Sequence, residues 1–166
     1  MGVIAVSKPS IKKTFKDVTL NVNNTTGSIA TFTVTGTVQV YAFWGIVTTQ
    51  FSSNITDVHL RLNDQTATVD MTLATGATMS NMAVGALLIK DSDGAVDPLT
   101  GINSTAGAFG DSGGQGVPNA MPFFVQKKTG ATTTIDFRYT TTNTPSTGAV
   151  RFWAVWEALS DDGALS

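Results

Sequence analysis

Apolar and polar residues alternate with a period of two along much of this chain, and the polar partner is most often threonine. Such alternation places successive side chains on opposite faces of an extended strand. Ile29-Ala30-Thr31-Phe32-Thr33-Val34-Thr35 predicts a half-buried strand that gathers Ile29, Phe32 and Val34 in one hydrophobic region, although the parity shifts within the run. After Gly36, the stretch Val38 to Val47 is apolar on both faces near its centre, which suits a strand covered on both sides by a second sheet or a neighbouring subunit. Asp57-Val58-His59-Leu60-Arg61-Leu62 alternates cleanly, Asn63-Asp64-Gln65 supplies turn residues, and Thr66 to Leu73 alternates again. That pair is the best hairpin in the sequence.

Met79 to Lys90 fits a buried strand or one short helix by periodicity, and strand is favoured. Residues 91–118 hold seven glycines and little apolar pattern, which predicts a long irregular loop, of the kind that is functional or mobile. Beyond it, Phe123 to Lys128, Thr134 to Tyr139 and Ala149 to Leu159 read as an antiparallel meander joined through Thr129-Gly130 and a polar link. The sum is about eight strands and no convincing helix. The expectation is an all-β fold, an antiparallel β-sandwich of jelly-roll type, with an N-terminal arm over 1–17 and one domain over 18–166.

Composition narrows the function. The 166 residues suffice for one continuous core. Charged residues make up 13% of the chain and the formal net charge is −2, so there is no electrostatic footprint for a phosphate backbone, and nucleic acid is not expected as a partner. No apolar run approaches the roughly 18 residues of a membrane helix, so no membrane span is expected. Cysteine is absent, which removes disulfides, thiolate metal sites and a thiol nucleophile. The first residues have no basic segment ahead of their apolar patch and do not read as a secretory signal, so synthesis in a host cytoplasm is expected. A surface poor in charge also permits large protein contacts.

Several local patterns invite chemistry. Gly110-Asp111-Ser112-Gly113-Gly114 resembles the segment around the nucleophile of chymotrypsin-like serine proteases, where glycines let backbone amides converge on an oxyanion. The lone histidine, His59, sits too close before Ser112 for two β-barrels to separate them as that family requires, so a hydrolase using Ser112 is the least favoured reading and no enzyme activity is expected. His59 itself reads as an ordinary strand residue, neutral or exposed. With one histidine and no cysteine, zinc is not expected. Asp91-Ser92-Asp93-Gly94-Ala95-Val96-Asp97 gathers carboxylates round a glycine, but it lacks the further acidic ligands of an EF-hand and reads as a solvated turn. No cofactor is expected.

Contact residues are easier to name. Lys8, Lys12, Lys13 and Lys16 place positive charge in the N-terminal arm, where it suits docking onto an acidic neighbour as well as a solvated tail. Tyr41, Trp44, Trp153 and Trp156 suit anchors in a core or an interface, with glycan stacking as the alternative.

The Thr-rich strand Thr132 to Thr142, the strand opening Gly148-Ala149-Val150-Arg151-Phe152 and the ending Leu159-Ser160-Asp161-Asp162-Gly163 resemble small β-sandwich virion proteins of tailed phages, among them capsid decoration (cement), head-fibre and tail-associated proteins. That resemblance implies a non-enzymatic structural protein of the virion, a homotrimer or other symmetric oligomer that binds the major capsid protein and stabilises the shell. A glycan-binding tail or fibre module is the alternative.

Overall fold

A computed structural model describes residues 10–20, 26–52, 55–72, 79, 81–90, 99–102, 122–142 and 147–166, with the side chains of 56, 90 and 99–102 left aside. Within them the chain forms β1 (Lys12–Thr19), β2 (Thr26–Thr35), β3 (Thr37–Thr49), β4 (Ile55–Asn63), β5 (Thr68–Asp70), β6 (Leu87–Lys90), β7 (Leu99–Ile102), β8 (Phe123–Gln126), β9 (Thr133–Thr141), β10 (Ala149–Ala158) and β11 (Ala164–Leu165). No helix occurs among the described residues. The first sheet runs β1-β10-β3-β6-β7, with β8 also beside β3, and the second runs β11-β2-β9-β4-β5. Every pairing is antiparallel.

This order is an all-β sandwich wound as a jelly roll. The nested pairs β1/β10, β2/β9, β3/β6 and β4/β5 fall alternately in the first and second sheets, as if one long hairpin had been rolled up. The roll turns sharply at Gly36, the single residue between β2 and β3. Its φ of 54° lies in the left-handed region, and a Cβ there would sit 2.8 Å from the Gly163 amide nitrogen. Ser160 Oγ closes the corner by accepting the Thr37 amide at 2.8 Å.

The inward positions of both sheets make one core. Phe43 and Phe152 lie side by side in the first sheet with centroids 5.6 Å apart, and each reaches across, Phe43 to Phe32 at 5.7 Å and Phe152 to Phe137 at 5.1 Å. Phe32, Phe137, Phe152 and Tyr139 are among the largest fully buried side chains. Fully burying a side chain of this kind stabilises by about 1.5–3 kcal/mol, so the layer between the sheets dominates stability in a chain without disulfides.

Two bulges explain irregular patterning. The register of β2 against β9 shifts between Ala30 and Phe32, and the extra residue, Thr31, is buried with its hydroxyl donating to the Ile135 carbonyl at 2.5 Å. That bulge causes the parity change within Ile29–Thr35. In β3 the shift falls at Tyr41, between the partners of Val155 and Trp156, so Val38 and Val40 point inward before it and Phe43 and Val47 after it.

The structure corrects several expectations. Phe123–Lys128, Thr134–Tyr139 and Ala149–Leu159 do not form a meander: β8 and β10 flank β3 in the first sheet, while β9 lies between β2 and β4 in the second. Each connection crosses from one sheet to the other, so neighbours in sequence are not neighbours in space. The stretch Val38 to Val47 is covered on its inner face, whereas Tyr41, Ala42, Trp44 and Ile46 are only half-buried. The strand expected over Met79–Lys90 is confined to β6, with Met82 and Ala86 packing into the core ahead of it. From Lys12 onward the expected arm is strand β1, tied along β10 from Lys12 opposite Trp156 to Thr19 opposite Ala149. Within the expected loop over 91–118, residues 99–102 form β7 beside β6, and the rest of that stretch lies outside the described residues.

Candidate functional site

The two outer faces of the sandwich differ in chemistry. On the first sheet, odd-numbered residues of β1 and β10 point outward, because Val18, Val150, Phe152 and Ala154 point in. Strand register then lines up Phe15, Trp153, Trp44 and Ile89 as one row across four strands. The next row holds Asp17, Arg151, Ile46 and Leu87.

The rings of this face contact one another. Trp44 and Trp153 stack with an interplanar angle of 13° and centroids 6.2 Å apart, while Phe15 tilts against Trp153 at 4.9 Å. Lys13 Nζ lies 4.2 Å from the Trp153 centroid and 5.4 Å from that of Trp44. Arg151 lies over Phe15 at 4.7 Å and also makes a two-pronged pair with Asp17, at 2.8 and 2.9 Å. That pair holds the Asp17 carboxyl below the usual carboxylate range, first through the hydrogen bond from Arg151, and raises the guanidinium in turn. Each cation is thus partnered with a ring or a carboxylate while apolar edges stay open: Phe15 is 51% exposed, and Phe124, opposite Gln39 on β8, is 67% exposed.

One end of the face carries a buried carboxylate. Glu157 is 6% exposed, its Oε1 accepts the Tyr41 hydroxyl, and its Oε2 has no partner. The β3 bulge turns Tyr41 toward it. The contact raises the Tyr41 hydroxyl above its ordinary value, because ionisation would lose the hydrogen bond to Glu157 and set two anions side by side.

The second sheet has a polar outer face that satisfies Asp136 but leaves both His59 ring nitrogens and Asp57 Oδ1 without a hydrogen bond. Asp136 is buried and accepts from Ser28 Oγ at 3.0 Å, Asn63 Nδ2 at 3.0 Å and Thr134 Oγ1 at 2.6 Å. His59 is also buried, at 5% exposure, where an ordinary strand position was expected. Its Nδ1 stands 3.6 Å from Asp57 Oδ1 and its Nε2 stands 3.6 Å from Asp70 Oδ1, both beyond hydrogen-bond range. Arg61 Nε donates to the same Asp70 oxygen at 3.2 Å. Both ring nitrogens therefore face carboxylates. Ser112 and the Asp91–Asp97 turn lie outside the described residues, and among the described residues no group of three His, Asp or Glu side chains is placed to hold a metal ion. Among the described residues there is no helix long and apolar enough to cross a membrane.

The structure divides the expected contact residues. Trp44, Trp153 and Lys13 meet on the outer face of the first sheet, and Tyr41 borders them. Trp156 belongs to the core at 4% exposure, with Lys12 Nζ over its ring at 4.9 Å. Lys16, opposite Phe152, is exposed on β1 but on the other parity from Lys13. Lys8 lies outside the described residues. Sequence reasoning missed Phe15, Arg151 and Phe124. The signal for Phe15 was its two-residue phase with Lys13 and Asp17, visible once Lys12–Thr19 is read as a strand.

Comparison with protein-family models, with curated proteins and with solved structures gave no match. The fold defines the class, an all-β jelly-roll sandwich, and its most exposed aromatic face is the candidate site.

Proposed function

We propose that the protein is a non-enzymatic structural component of a virion, a capsid decoration protein that associates with the major capsid protein and stabilises the shell through contact area. One observation carries this reading: the outer face of the first sheet bears the aromatic row Phe15–Trp153–Trp44, edged by Lys13 and Arg151, with Phe15 half in solvent. Exposed apolar patches of this kind mark interaction sites, and buried aromatics flanked by arginine are typical interface anchors.

The glycan alternative is less well supported by the same rings. A sugar stacks on a free ring face, whereas Trp153 already carries Lys13 over its ring, Trp44 stacked beside it and Phe15 tilted against it. The test is to add purified protein to shells assembled from major capsid protein alone. Co-sedimentation with a raised shell melting temperature is expected, and Phe15→Asp should weaken both. A protein that neither sediments with shells nor occurs in purified particles would refute the proposal.

A further inference from the structure

We propose that the aromatic face of the first sheet is the interface between two copies of this chain, related by a two-fold axis that runs along the Phe15–Trp153–Trp44 row. The proposal rests on reading that face as a protein contact and gives it to a second copy, so that a shell is met by other surfaces of the dimer.

Area is the first argument. An aromatic side chain presents about 150–250 Å² when free, so the exposed parts of Phe15 and Phe124 alone offer on the order of 200 Å². With the half-buried Trp44, Trp153, Val155 and Ile46 the apolar area reaches several hundred Å², on the scale of the roughly 800 Å² that each partner contributes to a standard interface. Two such sheets stack face to face with their strands aligned to within about 30°.

Charge selects the partner and the axis. Lys13 and Asp17 stand on the same face of β1, two residues before and two after Phe15, which puts each about 7 Å from the row and on opposite sides of it. A two-fold along the row exchanges those sides and brings Lys13 of one copy to Asp17 of the other, twice. An axis parallel to the strands would instead set Asp17 against the apolar Leu87 end of its row. The face is therefore complementary to itself in one orientation, as an isologous interface requires. Every residue on the row then meets its own counterpart, so Phe15 packs on Phe15 and loses its solvent.

The test is sedimentation equilibrium on the full chain, with circular dichroism to verify folding of each variant. A dimer is expected. Phe15→Asp, at a half-exposed site, should raise its Kd on the order of 30-fold, the effect of a central anchor. K13E and D17K should each weaken the dimer, and the double variant K13E/D17K should dimerise more tightly than D17K alone, because the crossed pairs re-form with their signs exchanged while Arg151 still lacks its carboxylate. A monomer at all concentrations, a trimer, a dimer indifferent to Phe15→Asp, or a double variant no tighter than D17K alone would overturn the two-fold. A monomer that still sediments with shells would overturn this inference and leave the virion reading standing. A dimer that ignores shells would do the reverse.

Discussion

Tyr139 lies directly opposite Gly27 across the β2/β9 pair and covers it, fully buried itself. A Cβ at position 27 would fall among the ring atoms of Tyr139, so the glycine is a requirement of packing and not of backbone angle. Gly27→Ala is expected to destabilise by about 1–3 kcal/mol through overpacking, read from urea unfolding. Gly130 is the useful contrast. Its surroundings are empty but its φ is 77°, so Gly130→Ala should cost about 1–2 kcal/mol from left-handed backbone alone, with no change in near-ultraviolet dichroism from the core rings.

Phe152 and Phe15 face opposite sides of the same sheet and should respond differently. Phe152→Ala opens a cavity beside Phe43 and Phe137 and is expected to cost about 3–5 kcal/mol. Phe15→Ser should change folding stability by about 1 kcal/mol or less while reducing association, because the ring is half in solvent already. Equal losses of stability in the two variants would contradict the assignment of inner and outer faces.

Acid should loosen the β4/β5 turn. Asp64 accepts the Ala67 amide at 2.6 Å, the Thr66 amide at 2.9 Å and the Thr66 hydroxyl at 2.8 Å, and Lys128 Nζ stands 3.1 Å away. These contacts, the Ala67 amide first, hold its carboxyl well below the ordinary carboxylate range. A carboxyl more acidic in the folded chain than in the unfolded one contributes stability that is present above the ordinary range and fades as pH falls through it. Asp17, lowered by Arg151, acts in the same direction. The melting temperature should therefore fall on acidification below about pH 4, and Asp64→Asn should flatten part of that slope, because an amide does not titrate while its oxygen still accepts the turn amides.

Tyr41 offers a spectroscopic check on the outer face. Its hydroxyl, held by Glu157, is expected to ionise later than a free tyrosine in an alkaline absorbance titration. The contact stabilises the fold below the ordinary tyrosine range and is lost as pH rises through the elevated value. In Glu157→Gln that late ionisation should move earlier, and in Tyr41→Phe it should vanish. A titration identical in the wild type and Glu157→Gln would mean that the pair does not persist in solution.

The sequence made legible those elements whose partners are close along the chain. The β4/β5 hairpin follows from clean alternation on both sides of Asn63-Asp64-Gln65, and the sandwich class follows from many short alternating runs without a helix. Pairing order was not legible for β8, β9 and β10, because alternation states which side of a strand is buried and says nothing about which sheet receives it. β9 belongs with β2 and β4, and only the closed core shows why. Within the site, Trp44 and Trp153 stood out as aromatics in apolar strands. Trp156 did too, although the odd three-residue step from Trp153 already places it on the other side of β10. Phe15 escaped notice because Lys12–Thr19 read as a tail, and a strand held only by a distant partner leaves little local trace of itself.

The position of β10 also governs how this protein is made. It lies between β1 and β3, yet it follows both in the chain, with β2 to β9 translated in between. While the ribosome still holds that segment, β1 has no neighbour in the first sheet, β3 has a bare edge, and Phe43 lacks the ring of Phe152. Folding must wait for nearly the whole roll to emerge, and a topology so rich in distant pairings belongs to the slow, millisecond-to-second class of folders. The nascent chain spends that interval with the edges of β1 and β3 uncovered.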